Sequence, residues 1–144
     1  MRKLAVDVGQ SRIGLAISEG SLAIPLEVLA NSDQAVAEVV EIANQKQVLA
    51  IYVGLPLSLS GNHTQSTSNA LRFADELSSF FPVRMIDERL TTKSAHALLR
   101  ASGKNAKNSK GIVDAQAAQQ ILEFALQSER DGQLAGKEPS EFHE

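Results

Sequence analysis

Residues 48–53, Val-Leu-Ala-Ile-Tyr-Val, form an almost unbroken apolar run that stops at Gly54 and Pro56. A run of this kind is typical of a central parallel strand that is buried on both faces of a sheet. Parallel sheets occur where helices cover both faces, so this one segment favours an α/β domain.

The segments around this run show strand and helix patterns in alternation. Alternating apolar residues predict strands near residues 4–8 and 13–17, a third strand covers about residues 25–29, and the three form an antiparallel meander. Residue spacing and end signals predict helices after Asp33, before Pro82, after Thr91 or Thr92 and over roughly residues 111–127, with a short strand over residues 83–86. The order β-β-β-α-β-α-β-α-α predicts a mixed five-stranded sheet, a three-strand meander plus parallel strands, flanked by helices.

The length of 144 residues suits one domain, which we expect to span residues 1–128. Residues 102–109 are predicted to be a polar loop, and residues 129–144 are acidic and are predicted to be a disordered tail. The absence of cysteine excludes disulfides, a cysteine-ligated metal and a cysteine nucleophile. No segment has the long apolar run of a signal peptide or a membrane span, so we expect a cytoplasmic protein with no membrane partner.

Basic residues concentrate in one part of a chain whose net charge is −3. Residues 129–144 carry five acids and two bases, whereas residues 84–110 carry seven bases and two acids. A local basic stripe is what contacts with phosphate require, although a solvated helix face gives the same pattern. The candidate nucleic-acid-binding residues are Arg89, Lys93, Lys104, Lys107 and Lys110, together with Arg12, which follows the turn after Asp7 and could instead pair with a nearby acid.

Asp7 is a lone charge inside an otherwise apolar strand. A buried carboxylate is costly unless it is paired or metal-bound, so a functional role is favoured over a hydrogen bond into the following turn. Glu88 comes just after the last strand, where open α/β sheets bind their ligands. An exposed ion pair in the loop explains Glu88 equally well.

Asp114 shares one stripe of the last predicted helix with Ala118, Ile121 and Ala125. That spacing places the carboxylate on the side of the helix that faces the sheet, whereas an Asp that only favours the helix dipole usually points to water. Together Asp7, Glu88 and Asp114 would form a catalytic and metal-binding set of hard oxygen ligands, which Mg²⁺ or Mn²⁺ prefers. Two such ions can activate water and stabilise the leaving oxygen of a phosphodiester.

Other candidate residues carry weaker signals. Gly54 permits the close approach of a ligand, or simply ends a strand. The helix start near Thr64 and Thr67 could hold a phosphate on its free N–H groups. His63 lies in the preceding loop, where an exposed bystander is favoured over a substrate contact, and the histidines lack zinc-like spacing.

Four motifs follow one another along the chain: Asp-Val-Gly-Gln-Ser-Arg-Ile-Gly-Leu-Ala from Asp7, Val-Gly-Leu-Pro from Val53, Asp-Glu-Arg-Leu-Thr from Asp87, and Lys-Gly-Ile-Val-Asp-Ala-Gln-Ala-Ala from Lys110. Each motif alone is weak, but four in this order, within residues 1–128, resemble the YqgF/RuvX family. The resemblance implies a ribonuclease H-like fold similar to that of Holliday-junction resolvases. It also implies a nuclease for the 5′ end of pre-16S rRNA in ribosome biogenesis, with Mg²⁺ or Mn²⁺ held by the three acids.

Two nuclease functions share this predicted site, and the residues hardly separate them. The partner is structured pre-rRNA, including ribosomal precursor particles, in the first case and branched DNA in the second. A resolvase is expected to be a symmetric dimer because it cuts two strands in concert, and monomer and homodimer both stay open here. The Asp-Val-Gly turn at Asp7 also resembles the phosphate-binding turn of actin-like ATPases, but those proteins need two such domains around the nucleotide. A non-catalytic RNA-binding module would leave the three acids without a role.

Overall fold

The computed structural model describes residues 1–91 and 106–142, with the side chains of the last helix described from Asp114 onward. Five strands in these residues form one sheet in the order β3-β2-β1-β4-β5. The strands are β1 (Arg2–Val8), β2 (Arg12–Glu19), β3 (Leu22–Ala30), β4 (Val48–Leu55) and β5 (Val83–Asp87). The described helices are α1 (Ala35–Gln45), α2 (Gln65–Leu77) and α3 (Ala106–Arg130), with short 3-10 turns at Glu88–Leu90 and Pro139–Phe142. None of these helices is both long and apolar enough to cross a membrane.

The sheet is mixed, as the sequence predicted. The strands β1, β2 and β3 are antiparallel neighbours, whereas β4 is parallel to both β1 and β5. The apolar run forms β4, and its residues Ile51, Tyr52 and Val53 are buried between the two neighbouring strands. The prediction of a meander joined to parallel strands is therefore confirmed.

The two faces of the sheet carry side chains of different size. Leu4 and Val6 of β1 enter a core of large aliphatic residues beneath α1 and α2, whereas Ala5 enters a second core beneath α3. Small residues line this second core on both sides, with Ala16 of β2 and Ala118 of α3 fully buried. Small side chains leave room for α3 to lie close to the strands.

Gly14 on β2 marks a close approach of α3 to the sheet. A Cβ atom at this position would lie 2.0 Å from the carbonyl oxygen of Asp114, so only glycine leaves room for the helix backbone. Gly14 is also the direct cross-strand partner of Asp7. Because the alternating residues Val6 and Val8 enter the core beneath α1 and α2, Asp7 faces α3. The packing of α3 therefore brings Asp114 into the neighbourhood of Asp7.

Two elements are longer than the sequence pattern predicts. The strand β3 covers Leu22–Ala30 instead of residues 25–29, and α3 begins at Ala106 although a loop is predicted over residues 102–109. Residues 106–111 include Asn, Ser and Gly, which are weak helix formers. A helix whose later turns are packed extends by one hydrogen bond per added residue, so local propensity does not fix its start. The helix predicted after Thr91 or Thr92, with His96, lies outside the described residues.

Residues 131–142, which the sequence assigns to a disordered tail, pack against β5. Met85 and Lys137 exchange two backbone hydrogen bonds of 2.6 and 3.1 Å. The Arg84 side chain donates from Nε to the carbonyl oxygen of Ala135 at 2.5 Å and from Nη2 to that of the next residue at 2.6 Å. The structure differs from the expectation of disorder because backbone groups and Arg84 hold the segment. The acidic composition of the segment predicts neither kind of contact.

Replacing Arg84 with Met should loosen this segment, because two charge-assisted hydrogen bonds to backbone carbonyls are lost while the aliphatic stem is kept. We expect the free energy of unfolding to fall by about 1.5–3 kcal/mol. Hydrogen exchange should speed up at residues 135–137 and at Met85. Arg72→Met, the same change on the exposed face of α2, serves as the control, and equal exchange in the two variants would contradict the anchoring role of Arg84.

Candidate active site

Asp7 and Glu88 occupy the edge of the sheet where the parallel strands β1, β4 and β5 end. Asp7 is the second-last residue of β1 and is half-buried on the α3 side. Glu88 directly follows β5 and begins the 3-10 turn of residues 88–90. Both carboxyl groups therefore lie where open α/β sheets bind their ligands, as the order of the strands requires.

Gly54 makes room for the Glu88 side chain over β4. A Cβ atom on Gly54 would lie 2.9 Å from the carboxyl carbon of Glu88 and 2.7 Å from Cδ1 of Ile121 on α3. Any larger residue at this position would push the Glu88 carboxyl group or α3 outward. The sequence suggested two roles for Gly54, and the structure supports a third, which is to seat a neighbouring acidic side chain.

The carboxyl groups of Asp7 and Glu88 are hydrogen-bonded to each other. Burial, followed by the charge and hydrogen bond of Asp7 and the charge of Asp87, raises the pKa of Glu88 to about 9. Glu88 therefore keeps its proton at neutral pH and donates it toward Asp7 when no cation is bound. Two acids that share a proton in a half-buried site form a set of oxygen donors suited to a hard divalent cation.

Asp114 lies on the same side of the sheet but has a different partner. The residues that follow it on the helix stripe, Ala118, Ile121 and Ala125, are fully buried, so the predicted orientation of this face is confirmed. The side chain of Asp114 is 22% exposed, and its Oδ2 accepts a hydrogen bond of 2.8 Å from Nε of Arg12. Of the two roles open for Arg12, pairing with a nearby acid is the one observed.

The three predicted acids lie at the same side of the sheet, but in the described residues they do not form a ready-made metal cluster. Among the residues that the structure describes, no three or more His, Cys, Asp or Glu side chains are arranged to hold a metal ion. Asp7 and Glu88 contact each other, whereas Asp114 contacts Arg12. The donor chemistry of Asp7 and Glu88 fits Mg²⁺ or Mn²⁺, and Asp114 would have to leave Arg12 to join them.

Arg89, a predicted phosphate contact, forms an ion pair with Asp87. Its Nη2 lies 2.7 Å from Oδ2 of Asp87, and its Nε lies 3.1 Å from both carboxylate oxygens. The hydrogen bonds from Arg89 hold the pKa of Asp87 below its usual range. The Nη1 atom lies 3.2 Å from the place where a Cβ on Gly61 would be, so Arg89 also touches the loop after β4. An exposed ion pair in this loop was the alternative explanation for Glu88, but the pair is formed by Asp87 and Arg89.

The remaining predicted contacts fall in different classes. Lys93 and Lys104 lie outside the described residues, and for Lys107 and Lys110 only the backbone within α3 is described. At the start of α2, two backbone N–H groups are already used by the helix cap. Thr64 and Thr67 cap the helix reciprocally, each side chain accepting from the backbone N–H of the other, at 2.9 and 3.3 Å. His63 is exposed, and its ring lies 6.5 Å from that of Phe142.

Gly14 is a site-forming residue that sequence reasoning did not single out. It carries no chemistry, but its missing side chain lets the backbone of Asp114 approach Asp7. The available signal was a glycine inside a strand, which often marks a place where another backbone comes close.

Comparison of the sequence with known proteins points to one family. The RuvX family model, described as Holliday junction resolvase, matches residues 1–128. A protein of Leifsonia xyli subsp. xyli is 49% identical over 134 residues, covering 89% of this chain and 86% of its own. A protein of Corynebacterium jeikeium is 47% identical over 137 residues, covering 90% of this chain and 88% of its own. Both carry the provisional name of pre-16S rRNA nuclease.

Solved structures agree with the predicted fold. T. thermophilus RuvC in complex with Holliday junction substrate matches with a TM-score of 0.59 at 17% sequence identity, covering 93% of this chain and 98% of that chain. A further Thermus thermophilus RuvC structure matches with a TM-score of 0.52 at 21% identity, covering 92% and 97%. At these identities the likeness concerns the fold alone, and it confirms the ribonuclease H-like arrangement.

The shared proton predicts an unusual pH dependence of stability in the presence of a chelator. The folded protein keeps the Glu88 proton up to about pH 9, whereas the unfolded chain releases it near the ordinary pKa of 4.5. The free energy of unfolding should therefore fall as pH rises through this window, by at most about 1.4 kcal/mol per pH unit. Urea unfolding at a series of pH values measures the slope.

Glu88→Gln should flatten this slope and be more stable than the wild type at pH 8, because the amide has no proton to lose. Glu27→Gln, the same change at an exposed position of β3, is the matched control. An unchanged slope in Glu88→Gln would show that the two carboxyl groups do not share a proton.

Proposed function

This chain belongs to the RuvX family, and on that basis we propose that it is a metal-dependent nuclease that hydrolyses phosphodiester bonds at the 5′ end of pre-16S rRNA. The observation that carries the proposal is the contact of Asp7 with Glu88 at the carboxyl edge of the parallel strands. The substrate follows from the names of relatives that are up to 49% identical. A nuclease that acts on pre-rRNA, free or in ribosomal precursor particles, would work in the bacterial cytoplasm.

Asp7, Glu88 and Asp114 are the residues that would hold Mg²⁺ or Mn²⁺. When bound, divalent cations supply activation of water and stabilisation of the leaving oxygen, and two ions can divide these tasks. All three donors are oxygen atoms, which these ions prefer over nitrogen or sulfur. Support for the assignment comes from the contact of two of the acids and from the packing of the third against Gly14, the cross-strand partner of Asp7.

The rest of the site would orient the nucleic acid and limit the access of water. Asp7 stands on β1, which is hydrogen-bonded on both sides, so its backbone is rigid. Buried Ile121 lies over Gly54 together with Glu88 and would help to exclude water there. Arg12 pairs with Asp114, and Arg89 pairs with Asp87. These two arginines and the basic turns of α3 that precede Asp114 would contact backbone phosphates.

A four-way DNA junction is the alternative substrate, and the similarity of the fold to RuvC favours it. A nuclease on a junction is expected to act as a symmetric dimer, whereas processing of one RNA strand has no such requirement. A non-catalytic RNA-binding module is the third candidate. It gains nothing from a half-buried acidic pair that costs stability.

A cleavage assay tests the proposed function directly. Purified protein would be incubated with Mg²⁺ or Mn²⁺ and either a labelled pre-16S 5′ leader RNA or a labelled four-way DNA junction. We expect cleavage of the RNA, lowered at least about 100-fold in Asp7→Asn, since even indirect disturbance of metal ligands has effects of that size.

Asp33→Asn, the same change in the exposed segment before α1, controls for the substitution itself. Cleavage that persists in Asp7→Asn would reveal a contaminating nuclease and remove the support for catalysis. Cleavage of the junction alone would replace the RNA with branched DNA, and no cleavage of either by folded, metal-binding protein would favour the binding module.

The basic turns of α3 should contribute to binding rather than to metal affinity. Replacing Lys107 or Lys110 with Gln should weaken RNA binding and lower the slope of log Kd against log salt concentration by about 1, because one phosphate contact is lost. Lys46→Gln, at the end of α1 and away from this edge, is the control. Unchanged salt dependence in both variants would exclude these lysines from the interface.

A further inference from the structure

Arg12 and Asp114 form an ion pair across 102 positions of the chain, at the mouth of the candidate site. The guanidinium Nε lies 2.8 Å from Oδ2 of Asp114, and the two side chains are 40% and 22% exposed. Arg12 opens β2 two residues before Gly14, the residue against which the backbone of Asp114 packs. The pair therefore stands beside Asp7, the cross-strand partner of Gly14.

The ion pair gives Asp114 a partner other than the two remaining acids. The carboxylate of Asp114 is hydrogen-bonded to Arg12, and the described residues contain no set of three side chains arranged to hold a metal ion. A guanidinium group at this place supplies the positive charge that a cation would otherwise supply. Arg12 and a divalent cation are therefore competitors for the same carboxylate.

We propose that Arg12 is a latch that holds Asp114 away from Asp7 and Glu88 until a nucleic-acid phosphate takes the guanidinium. The inference rests on the proposed function, because it assumes that the three acids bind a metal and that the ligand carries phosphates. Arg12 is a positioning residue in this scheme, since it acts through Asp114.

The exchange is chemically balanced. Arginine binds carboxylate and phosphate through the same planar set of N–H donors, so the guanidinium loses no hydrogen-bonding capacity when it changes partner. Asp114 is left beside Asp7 and Glu88 with its charge uncompensated, which favours cation binding. An ion pair that is partly exposed to water is weak, so a phosphate can displace the carboxylate.

The backbone around the latch stays fixed while the side chains move. The N–H of Gly9 donates to the carbonyl oxygen of Arg12 at 2.8 Å, which closes the turn between β1 and β2. Asp114 is held by the packing of α3 against Gly14. Only rotations of the two side chains are needed, so the latch requires no rearrangement of the fold.

The latch makes metal and nucleic acid bind cooperatively. A ligand that removes Arg12 from Asp114 raises the affinity for the cation, and linkage requires the cation to raise the affinity for that ligand by the same factor. Couplings of this kind are typically about 5- to 150-fold. The device would keep the site poorly metallated when no substrate is present.

The test is a double-mutant cycle on Mn²⁺ affinity, measured by calorimetry on the full chain without nucleic acid. Arg12→Gln should raise the affinity at least several-fold, and this gain should vanish when Asp114→Asn is already present. Arg2→Gln is the matched control, because Arg2 makes a similar exposed ion pair with Glu19, at 3.0 Å, at the opposite end of the same hairpin. Thermal melts identify any variant that is unfolded, and Arg12→Lys then serves as the milder variant, with a smaller gain expected.

The second arm measures binding of a fluorescent RNA hairpin by anisotropy with and without Mn²⁺, at low temperature where a gel finds no cleavage. Mn²⁺ should strengthen binding to the wild type about 5-fold or more, and this factor should be smaller in Arg12→Gln. Arg2→Gln should behave as the wild type does.

Three results would overturn the latch. Unchanged or lower Mn²⁺ affinity in Arg12→Gln would show that Arg12 only supports Asp114 in a fixed position. An equal gain in affinity in the Asp114→Asn background would show that Arg12 acts on the cation through its positive charge and not through Asp114. Coupling between Mn²⁺ and RNA that is as strong in Arg12→Gln as in the wild type would show that RNA does not release Asp114 from Arg12. Failure of the proposed function itself is distinct: neither the wild type nor Arg12→Gln would bind Mn²⁺, or Asp7→Asn would bind it as well as the wild type does.

Discussion

The close contact between α3 and the sheet is the constraint on which the rest of the site depends. The helix can lie over β2 only because Gly14 has no side chain where the carbonyl oxygen of Asp114 sits. The same contact buries the small residues of the second core and brings Asp114 beside the strand that carries Asp7. Stability and site assembly therefore share one interface, and a change that lifts the helix would harm both.

Patterns that are local in sequence predicted most of the fold. Alternation and the apolar run of residues 48–53 give the strands, because burial on one or two faces leaves a direct mark on neighbouring residues. The start of α3 and the packed segment after Arg130 left no such mark. The first depends on propagation from a packed helix, and the second depends on Arg84 and on the outer edge of β5. Contacts of this type join distant parts of the chain and have no local period.

The candidate site also contains features that local sequence patterns indicate and contacts that they do not. Asp7 was visible as a charge in an apolar strand, and Asp114 as a carboxylate on the buried stripe of a helix. The contact of Glu88 with Asp7 follows once β1, β4 and β5 are parallel neighbours, but it also needs the space above Gly54. The choice of Arg12 between a phosphate and an acid could not be read from the sequence, because Asp114 lies 102 positions away.

Charge balance explains why these acids can be placed together in a protein without a cation. One proton, held between Asp7 and Glu88, and one guanidinium, held on Asp114, leave the three carboxyl groups and Arg12 with a single net negative charge. In the proposed function a metal would replace the proton, and in the proposed latch a substrate phosphate would take the guanidinium. A site whose charges are balanced only by replaceable partners can fold when empty and still favour a cation once substrate arrives. Permanent partners, such as two buried arginines, would stabilise the empty fold further but would also exclude the metal.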